Sequence, residues 1–336
     1  MNAVETSASP LPDPVEPLGY NAARQAFGAI LDGLVDDDAT GRFLTMLAER
    51  GETVDEIAAA AAEMRLRMRP VSAPSNAIDV CGTGGDGSHS LNVSTAVAIV
   101  VAAAGVPVAK HGNRAASSRA GAADTLEALG LDLSIAEQTA ERSLADLGIA
   151  FLFAAHHHPA LGRLAPLRRS LGRRTIFNLL GPLSNPAGVG RQLVGVPGQR
   201  HVTDHAAALA RLGSSRVMSV HGLEGLDEIS ISGPTSIAIL ADGHITEGVI
   251  TPEDAGLARH SRSAIDGGDA PYNARALRHL LEGASGAYRD AVLLNAAGAL
   301  IVAEAVADWK SGVALAADAI DSGRAATLVE SWIAYR

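Results

Sequence analysis

The chain has 336 residues, of which 27 are Lys or Arg and 37 are Asp or Glu, so its formal net charge is −10. That balance argues against a nucleic-acid binder, because such proteins usually carry a basic face. Cys81 is the one cysteine, which rules out an internal disulfide and favours a reducing compartment, the cytoplasm. The longest apolar stretch, 93–109, is short for a membrane span and is interrupted by Ser, Thr, Gly and Pro.

The N-terminal part of the sequence predicts a tail followed by helices. Residues 1–17 hold four prolines and neither Lys nor Arg, a composition that predicts disorder rather than a secretory signal. Residues 20–69 predict three short helices, the last of which begins at a capping box formed by Thr53 and Glu56. Two prolines after residue 69 mark a linker.

After the linker, short apolar runs alternate with helical patterns, which predicts an α/β domain with a mainly parallel sheet. The apolar runs are 77–80, 106–109, 149–153, 193–196, 217–220, 229–231 and 237–240, and the helical patterns between them are 94–104, 118–129, 137–147 and 201–212. Residues 272–335 return to nearly continuous helix. We therefore expect a small helical domain over 18–70, joined by a segment near 165–185, and a large α/β domain over 75–336.

The first segment that carries chemistry is glycine-rich and runs from Asp79 to Gly87. A strand is predicted to end near Cys81 and a helix to start near Ser94, so the glycines let backbone N–H groups converge on an anion at a helix N-terminus. Asn92, Ser94 and Thr95 add side-chain donors. The spacing is neither that of a P-loop nor that of a dinucleotide fingerprint. The alternative is a flexible turn between strand and helix.

A basic loop follows the predicted strand at 106–109. Lys110, Arg114 and Arg119, with Ser117 and Ser118, suit a diphosphate at a strand end. The alternative is a solvated loop without a ligand.

A third segment is rich in histidine and arginine. Residues 156–158 are three consecutive histidines, which rarely converge on one metal ion, so we do not expect a metal site there. Of the four arginines at 168, 169, 173 and 174, we expect one to bind a substrate carboxylate with both its N–H arms, and most of the others to be ordinary surface residues.

The fourth segment ends in two adjacent carboxylates, Asp227 and Glu228, which lead into an apolar run. Oxygen ligands of this kind hold Mg²⁺ that also binds phosphate oxygens. The alternative is an acidic turn that only aids solubility.

In their order along the chain these segments closely resemble those of the anthranilate phosphoribosyltransferase family. The matching motifs are Cys81–Asp86, Asn92–Ala96, Lys110–Arg114, Arg174–Pro186, Gly225–Glu228 and Gly286–Asn295. The resemblance implies an enzyme of tryptophan biosynthesis that moves the phosphoribosyl group of phosphoribosyl pyrophosphate (PRPP) to the amine of anthranilate and uses Mg²⁺, as two ions. It also implies a homodimer, and a fold like that of nucleoside phosphorylases, with the site between the two domains.

The resemblance also implies roles for individual residues. It implies PRPP contacts at Gly82, Gly85, Asp86, Ser90, Asn92, Val93, Ser94, Thr95, Lys110, His111, Gly112, Asn113, Arg114, Ala115, Ala116, Ser117, Ser118 and Ala122. It implies anthranilate contacts at Gly82, Asn113, His158 and Arg168, metal contacts at Ser94, Asp227 and Glu228, and catalytic roles for Lys110, His111, Asn113 and Arg168.

The chain departs from the family pattern at a few positions. Ser90 and Leu91 stand where Thr and Phe are common, Arg119 replaces Lys, and Ala122 replaces Ser. Leu161 and Gly162 replace a more usual Met-Lys or similar pair. None of these changes removes a predicted metal or carboxylate contact, so we expect small differences in affinity.

Three other functions compete with this interpretation. A nucleoside phosphorylase of the same fold would use inorganic phosphate, but the paired carboxylates and the Asn113 and Arg168 pair favour the transferase. A non-catalytic, nucleic-acid-binding relative would be basic and would lose site residues. A dehydrogenase is disfavoured by the glycine spacing.

Overall fold

The computed structural model describes residues 11–84, 87, 89–115 and 119–336. Within these residues one sheet of seven strands has the order β3-β2-β1-β4-β5-β6-β7. The strands are β1 (Ile78–Gly82), β2 (Val108–Gly112), β3 (Ile149–Phe153), β4 (Arg191–Gly195), β5 (Arg216–Gly222), β6 (Thr235–Ala241) and β7 (His244–Ile250). The first five are parallel, and β6 and β7 add an antiparallel edge. The predicted α/β fold with a mainly parallel sheet is confirmed.

Helices surround this sheet on both faces. The described helices are α1 (Tyr20–Asp32), α2 (Asp37–Arg50), α3 (Val54–Leu66), α4 (Val93–Ala103), α5 (Ala122–Leu129), α6 (Leu133–Gln138), α7 (Ala140–Asp146), α8 (Ala154–His157), α9 (Pro159–Leu171), α10 (Arg200–Arg211), α11 (Ala270–Leu281), α12 (Ala287–Val302), α13 (Trp309–Asp321) and α14 (Arg324–Ala334). In the described part of the chain, no helix combines the length and apolar character needed to cross a membrane.

Two large apolar cores lie on opposite faces of the sheet. One joins α4 and α11 to α14 to the sheet, with Ile99 and Leu294 fully buried. The other is formed by helices α1, α2, α3 and α10, and it also contains Leu164 of α9 and Phe177. Helix α9 packs against α1 and α2, so a segment distant in sequence completes the helical layer.

Residues 11–17 lie against this helical layer, which differs from the prediction that all of 1–17 is disordered. Arg50 Nε donates to the carbonyl oxygen of buried Pro14 at 2.9 Å, and Arg50 Nη2 pairs with the buried Glu56 carboxylate at 2.5 Å. Glu56 also completes the predicted capping box with Thr53. One backbone acceptor, the Pro14 carbonyl oxygen, therefore gives the proline-rich segment a partner in α2, while residues 1–10 lie outside the described residues.

One predicted strand is wrong: 229–231 is a buried loop. The Asn295 side chain of α12 accepts from the Ile229 backbone N–H at 2.8 Å and donates to its carbonyl oxygen at 2.9 Å. A side-chain amide thus satisfies the two backbone groups that a neighbouring strand would otherwise pair. The consequence is that α12 helps to hold the loop that carries the preceding carboxylates.

Candidate active site

The order of the strands reverses at β1, since β2 and β3 lie on one side of it and β4 and β5 on the other. In open parallel sheets the crevice outside the carboxyl ends of the strands at such a point is the usual ligand site. The glycine-rich loop leaves β1 here and leads to α4, whose first turn contains Val93, Ser94 and Thr95. Gly85 and Asp86, which were expected to contact PRPP, lie outside the described residues.

Asp227 lies across the ends of β1 and β4. Its Oδ2 accepts the Gly84 backbone N–H at 2.9 Å. A Cβ on Gly82 would come within 2.7 Å of Asp227 Oδ2, and a Cβ on Gly195 would come within 1.6 Å of its backbone oxygen. Glycine at both strand ends is therefore what allows the carboxylate loop to approach the glycine-rich loop so closely.

Lys110 is the buried cation of the site, with an exposed fraction of 2%. Its Nζ donates to the Val80 carbonyl oxygen at 2.7 Å and to Ser94 Oγ at 3.3 Å. These bonds place the ammonium group between the end of β1 and the first turn of α4. A positive charge at a helix N-terminus is not favoured by the helix dipole, so an anion at this point would stabilise the arrangement.

A second buried charge, Asp79, lies beneath this cation. Asp79 Oδ1 accepts the His111 backbone N–H at 3.1 Å. Burial raises the pKa of the Asp79 carboxyl, and the charge of Lys110 and several hydrogen bonds oppose that rise. Gln192 Nε2 lies 3.5 Å from Asp79 Oδ2 and donates to the Pro182 carbonyl oxygen at 2.7 Å. Through these contacts the sheet holds the turn at 181–184 in place.

His111 and His158 form a neutral pair beside that turn, with ring centroids 5.1 Å apart. Burial lowers the pKa of His111 to about 3 and that of His158 to about 4. His111 Nδ1 lies 3.1 Å from the Gly181 carbonyl oxygen, and since a carbonyl only accepts, Nδ1 carries the proton. His158 bonds the Ser184 backbone. Both Nε2 atoms are buried, and neither has a hydrogen-bond partner among the described residues.

Arg168 is half-buried on α9, with its guanidinium 5.8 Å from the ring centroid of Phe177. Burial lowers its pKa. None of the described carboxylates lies within ion-pair distance of it. Its neighbours are used differently: Arg173 pairs with Glu49 at 2.8 Å, and Arg174 Nη2 lies 3.4 Å from the Gly84 carbonyl oxygen.

Arg114 is exposed, and its charge is paired with carboxylates of α5. Its guanidinium pairs with Asp124 at 2.9 Å and Glu127 at 2.5 Å and lies over the Phe153 ring. The Ala115 backbone N–H donates to Asp124 Oδ2 at 3.0 Å. The acidic start of α5 thus shapes the loop that follows β2. Ala116, Ser117 and Ser118, further expected PRPP contacts, lie outside the described residues.

The remaining expected residues are distributed around the same crevice. Ser90 forms a bridge with Asp266, and Asn92 precedes α4. Gly112 ends β2, Asn113 follows it with an exposed side chain, and Ala122 begins α5.

Glu228 lies close enough to Tyr288 that its charge, after burial, contributes to the raised pKa of that phenol. Tyr288 in turn donates to the Asn92 carbonyl oxygen at 3.2 Å. Both predicted metal carboxylates therefore lie near the segment that joins the glycine-rich loop to α4. Among the described residues, no group of three or more His, Cys, Asp or Glu side chains is placed to hold a metal ion. Mg²⁺ commonly uses one or two carboxylates together with phosphate oxygens, so this donor set fits it.

Sequence analysis assigned no individual role to several residues that shape the site, namely Asp79, Gln192, Asn185 and Gly195. A glycine inside an apolar strand pattern was the available signal for Gly195. Asn185 Nδ2 donates to the Ala109 carbonyl oxygen at 2.8 Å, a long-range contact that no local pattern encodes.

Comparison with known proteins identifies the family. Residues 74–326 match the α/β domain of a glycosyl transferase family, and residues 14–68 match the helical bundle domain of such a family. The chain is 61% identical over 324 residues to anthranilate phosphoribosyltransferase from Novosphingobium aromaticivorans, covering 96% of this chain and 98% of that protein. It is 57% identical over 327 residues to the enzyme of that name from Sphingopyxis alaskensis, covering 97% and 98%.

Solved structures agree with this assignment. The anthranilate phosphoribosyltransferase of Thermus thermophilus superposes with a TM-score of 0.91 at 43% identity, covering 95% of this chain and 96% of that one. The Saccharomyces cerevisiae enzyme in complex with PRPP and Mg superposes with a TM-score of 0.86 at 29% identity, covering 94% and 93%. On these matches, which extend over nearly its whole length, the chain belongs to the anthranilate phosphoribosyltransferase family.

Proposed function

We propose that the chain transfers the phosphoribosyl group of PRPP to the amine of anthranilate, releasing pyrophosphate, as a step of tryptophan biosynthesis. The observation that carries this proposal is the 2.9 Å bond from the Gly84 N–H to Asp227 Oδ2. It brings a loop rich in N–H donors and a carboxylate pair to one end of the sheet, which is the combination that a metal-bound diphosphate needs.

The diphosphate end of PRPP would bind between the glycine-rich loop and α4. Lys110 has two described partners for its three N–H groups and can direct the third to a phosphate oxygen. Thr83 Oγ1 and Thr95 Oγ1 are buried without a hydrogen-bond partner among the described residues. A phosphate oxygen would satisfy both hydroxyl groups, which supports this placement.

Two Mg²⁺ ions are proposed, with Ser94, Asp227 and Glu228 as the protein ligands. The ions would neutralise the charge of the departing pyrophosphate. Asp227 is held for this by the Gly84 N–H, and Glu228 by its neighbour Ile229, whose backbone is bonded on both sides by Asn295.

Anthranilate would bind on the side of α9. The half-buried guanidinium of Arg168, stacked on Phe177, is suited to the carboxylate of a planar aromatic acid. The neutral His111 and His158 rings each present an acceptor at Nε2 to an N–H donor such as the anthranilate amine. Asn113 and Gly82 would lie between the two substrates.

The chemistry follows from this placement. The C1–O bond breaks with its electron pair going to pyrophosphate, positive charge builds on the ribose, and the amine lone pair forms the C1–N bond. The amine then releases one proton. The protein supplies no nucleophile; Lys110 and the N–H groups stabilise the leaving group. Arg168 binds the anthranilate carboxylate while Asn113 orients the ring and the amine towards C1.

A homodimer and a cytoplasmic location complete the proposal. Leu34 and Leu66 have exposed fractions of 72% and 67% at the same end of the helical layer, where Arg67 pairs with Asp32 at 2.7 Å. Exposed apolar side chains on one surface support a contact between copies. Replacing Leu34 and Leu66 by Glu is expected to give monomers in analytical ultracentrifugation.

The deciding experiment follows anthranilate fluorescence with the purified chain, Mg²⁺ and PRPP, and in parallel measures pyrophosphate release. Anthranilate should be consumed only when PRPP is present, with one pyrophosphate released for each molecule consumed. Phosphate-dependent cleavage of a nucleoside without anthranilate turnover would instead identify a nucleoside phosphorylase, and a gel shift with DNA or RNA at physiological salt would identify the nucleic-acid-binding alternative.

A further inference from the structure

Asn273, in the first turn of α11, connects two segments of the PRPP site although it lies far from both in sequence. Its side chain has an exposed fraction of 2%. Its Oδ1 accepts the Gly268 backbone N–H at 2.8 Å, and its Nδ2 donates to Asn92 Oδ1 at 2.9 Å. Since the Gly268 N–H only donates, the orientation of the Asn273 amide is fixed by its partners.

The amide of Asn273 thus has two arms: its oxygen, bonded to Gly268, and its nitrogen, bonded to Asn92. The first arm, the oxygen, helps to position the segment that follows the glycine-rich loop. Residues 265–268 pair with residues 89–91 along their backbones: Gly267 N–H donates to the His89 carbonyl oxygen at 2.7 Å, and Leu91 N–H donates to the Ile265 carbonyl oxygen at 2.8 Å. Asn273 holds the end of this segment through Gly268. A shift of α11 would therefore move the chain that leads from the glycine-rich loop to α4.

The second arm controls the start of α4 and the loop after β2. Asn92 Oδ1 also accepts from Thr125 Oγ1 at 2.5 Å, and Asn92 Nδ2 donates to the Ala120 carbonyl oxygen at 3.3 Å. Asn92 is thus a junction between α4, α5 and the loop that follows Lys110 and His111. Its amide oxygen is used twice inside the protein, and the donors that orient it come from Asn273 and Thr125.

We propose that Asn273, supported by Thr125, is a positioning residue for PRPP: it fixes Asn92 and the 89–92 segment so that both loops face the same diphosphate. The inference rests on the proposed function, since it assigns these loops to PRPP. It makes α11 and α5 part of the PRPP site without contact to the substrate. Because Arg168 and His158, on the side of α9, have no described contact with Asn273, we expect anthranilate binding to change less than PRPP binding.

The test compares three variants of the full chain. Asn273→Ala removes both arms, Asn273→Asp keeps the acceptor for Gly268 but loses the donor to Asn92, and Thr125→Val removes the other donor to Asn92 at nearly constant shape. Each is expected to raise the PRPP dissociation constant, measured by calorimetry with Mg²⁺, and the KM for PRPP by about tenfold, because a buried partner loses its hydrogen bond. The KM for anthranilate should change less than about threefold.

Two control variants separate positioning from general stability. Arg278→Met removes the bond from α11 to the Leu129 carbonyl oxygen, and Ser143→Ala removes a buried bond to the Ile149 carbonyl oxygen. Both should lower Tm without changing PRPP affinity.

The inference is overturned if Asn273→Asp and Thr125→Val bind PRPP like wild type, or if they raise the KM of both substrates equally. Should Asn273→Ala fail to fold, those two variants decide the matter. A wild-type chain that neither binds PRPP nor consumes anthranilate would refute the proposed function instead, which is a distinguishable result.

Discussion

Replacing Gly195 by Ala tests whether the close approach of Asp227 to the strand ends is required for activity. In the present backbone the new Cβ would lie 1.6 Å from the Asp227 carbonyl oxygen, whereas ordinary contact begins at 3.4 Å. The loop that carries Asp227 would have to withdraw by about 1.8 Å along that direction. Gly195 has no positive φ, so the effect is one of space and not of backbone conformation.

A withdrawal of that size should act mainly on catalysis. Misplacement of a reacting group by about 1 Å can lower a rate by about 100-fold, so we expect kcat/KM to fall at least by that factor. The Gly84 N–H to Asp227 Oδ2 bond would be lost, and the Mg²⁺ concentration for half-maximal rate should rise. Overpacking of this kind typically lowers the free energy of unfolding by about 1–3 kcal/mol, which leaves a folded protein to assay.

The matched control is Gly198→Ala, three residues further along the same connection, where the nearest atom to a new Cβ would be His201 Cδ2 at 3.8 Å. Rates for both variants should be measured against Mg²⁺ and PRPP, with Tm recorded for each. If Gly195→Ala kept a kcat/KM within threefold of wild type, with the same Mg²⁺ dependence as Gly198→Ala, the carboxylate loop would not need this approach and the assignment of Asp227 to the metal would lose its support.

Three further predictions concern the two substrates and the effect of acid. Arg168→Ala should raise the KM for anthranilate roughly 30- to 150-fold, because the loss of a charge-assisted pair costs about 2–3 kcal/mol. Equal increases in KM for both substrates would show that Arg168 does not bind the anthranilate carboxylate. Asp227→Asn with Glu228→Gln should shift the Mg²⁺ requirement upward in an activity titration; curves that superimpose on wild type would place the metal elsewhere. Burial lowers the folded pKa of His111 to about 3 and of His205 to about 4, below the 6.5 of an exposed imidazole, so their stabilising contribution is complete above pH 6.5 and is lost as the pH falls towards 4. Each histidine should lower the free energy of unfolding by about 1.4 kcal/mol for every unit of pH below 6.5 in that window. The urea midpoint of His205→Gln should therefore fall less steeply with decreasing pH than that of wild type. Equal slopes would show that His205 is not buried in its neutral form.

How far the sequence predicts this molecule depends on whether a feature is local. Some features can be predicted from short stretches of sequence, because periodicity or residue type indicates them directly. They are the parallel strands, the capping box at Thr53 and Glu56, and the glycine-rich loop after β1. The apolar run at 229–231 has the composition of a strand, but its backbone groups are taken by Asn295, more than sixty residues away. No window around Ile229 contains that information.

The candidate site divides in the same way. Motif resemblance assigned Lys110 and Asp227 to the site because each lies within a run of specific residues. It did not predict that Arg114 is neutralised by Asp124 and Glu127, since ion-pair partners are chosen by the fold. A resemblance can indicate that a residue lies at a site, while only its contacts decide whether its charge, its backbone or its packing is what the site uses.

Two of the departures from the family pattern lie at a backbone bridge and at an exposed position. Ser90 meets Asp266 through backbone pairing, which any side chain permits. Ala122 begins α5, and nothing in the structure explains the loss of a hydroxyl group there. Arg119 is exposed. The chain therefore varies at Ser90, where the backbone is paired, and at the exposed Arg119. It keeps Lys110, Asp227, Glu228 and Arg168, where a charged side chain is proposed to meet a substrate or metal.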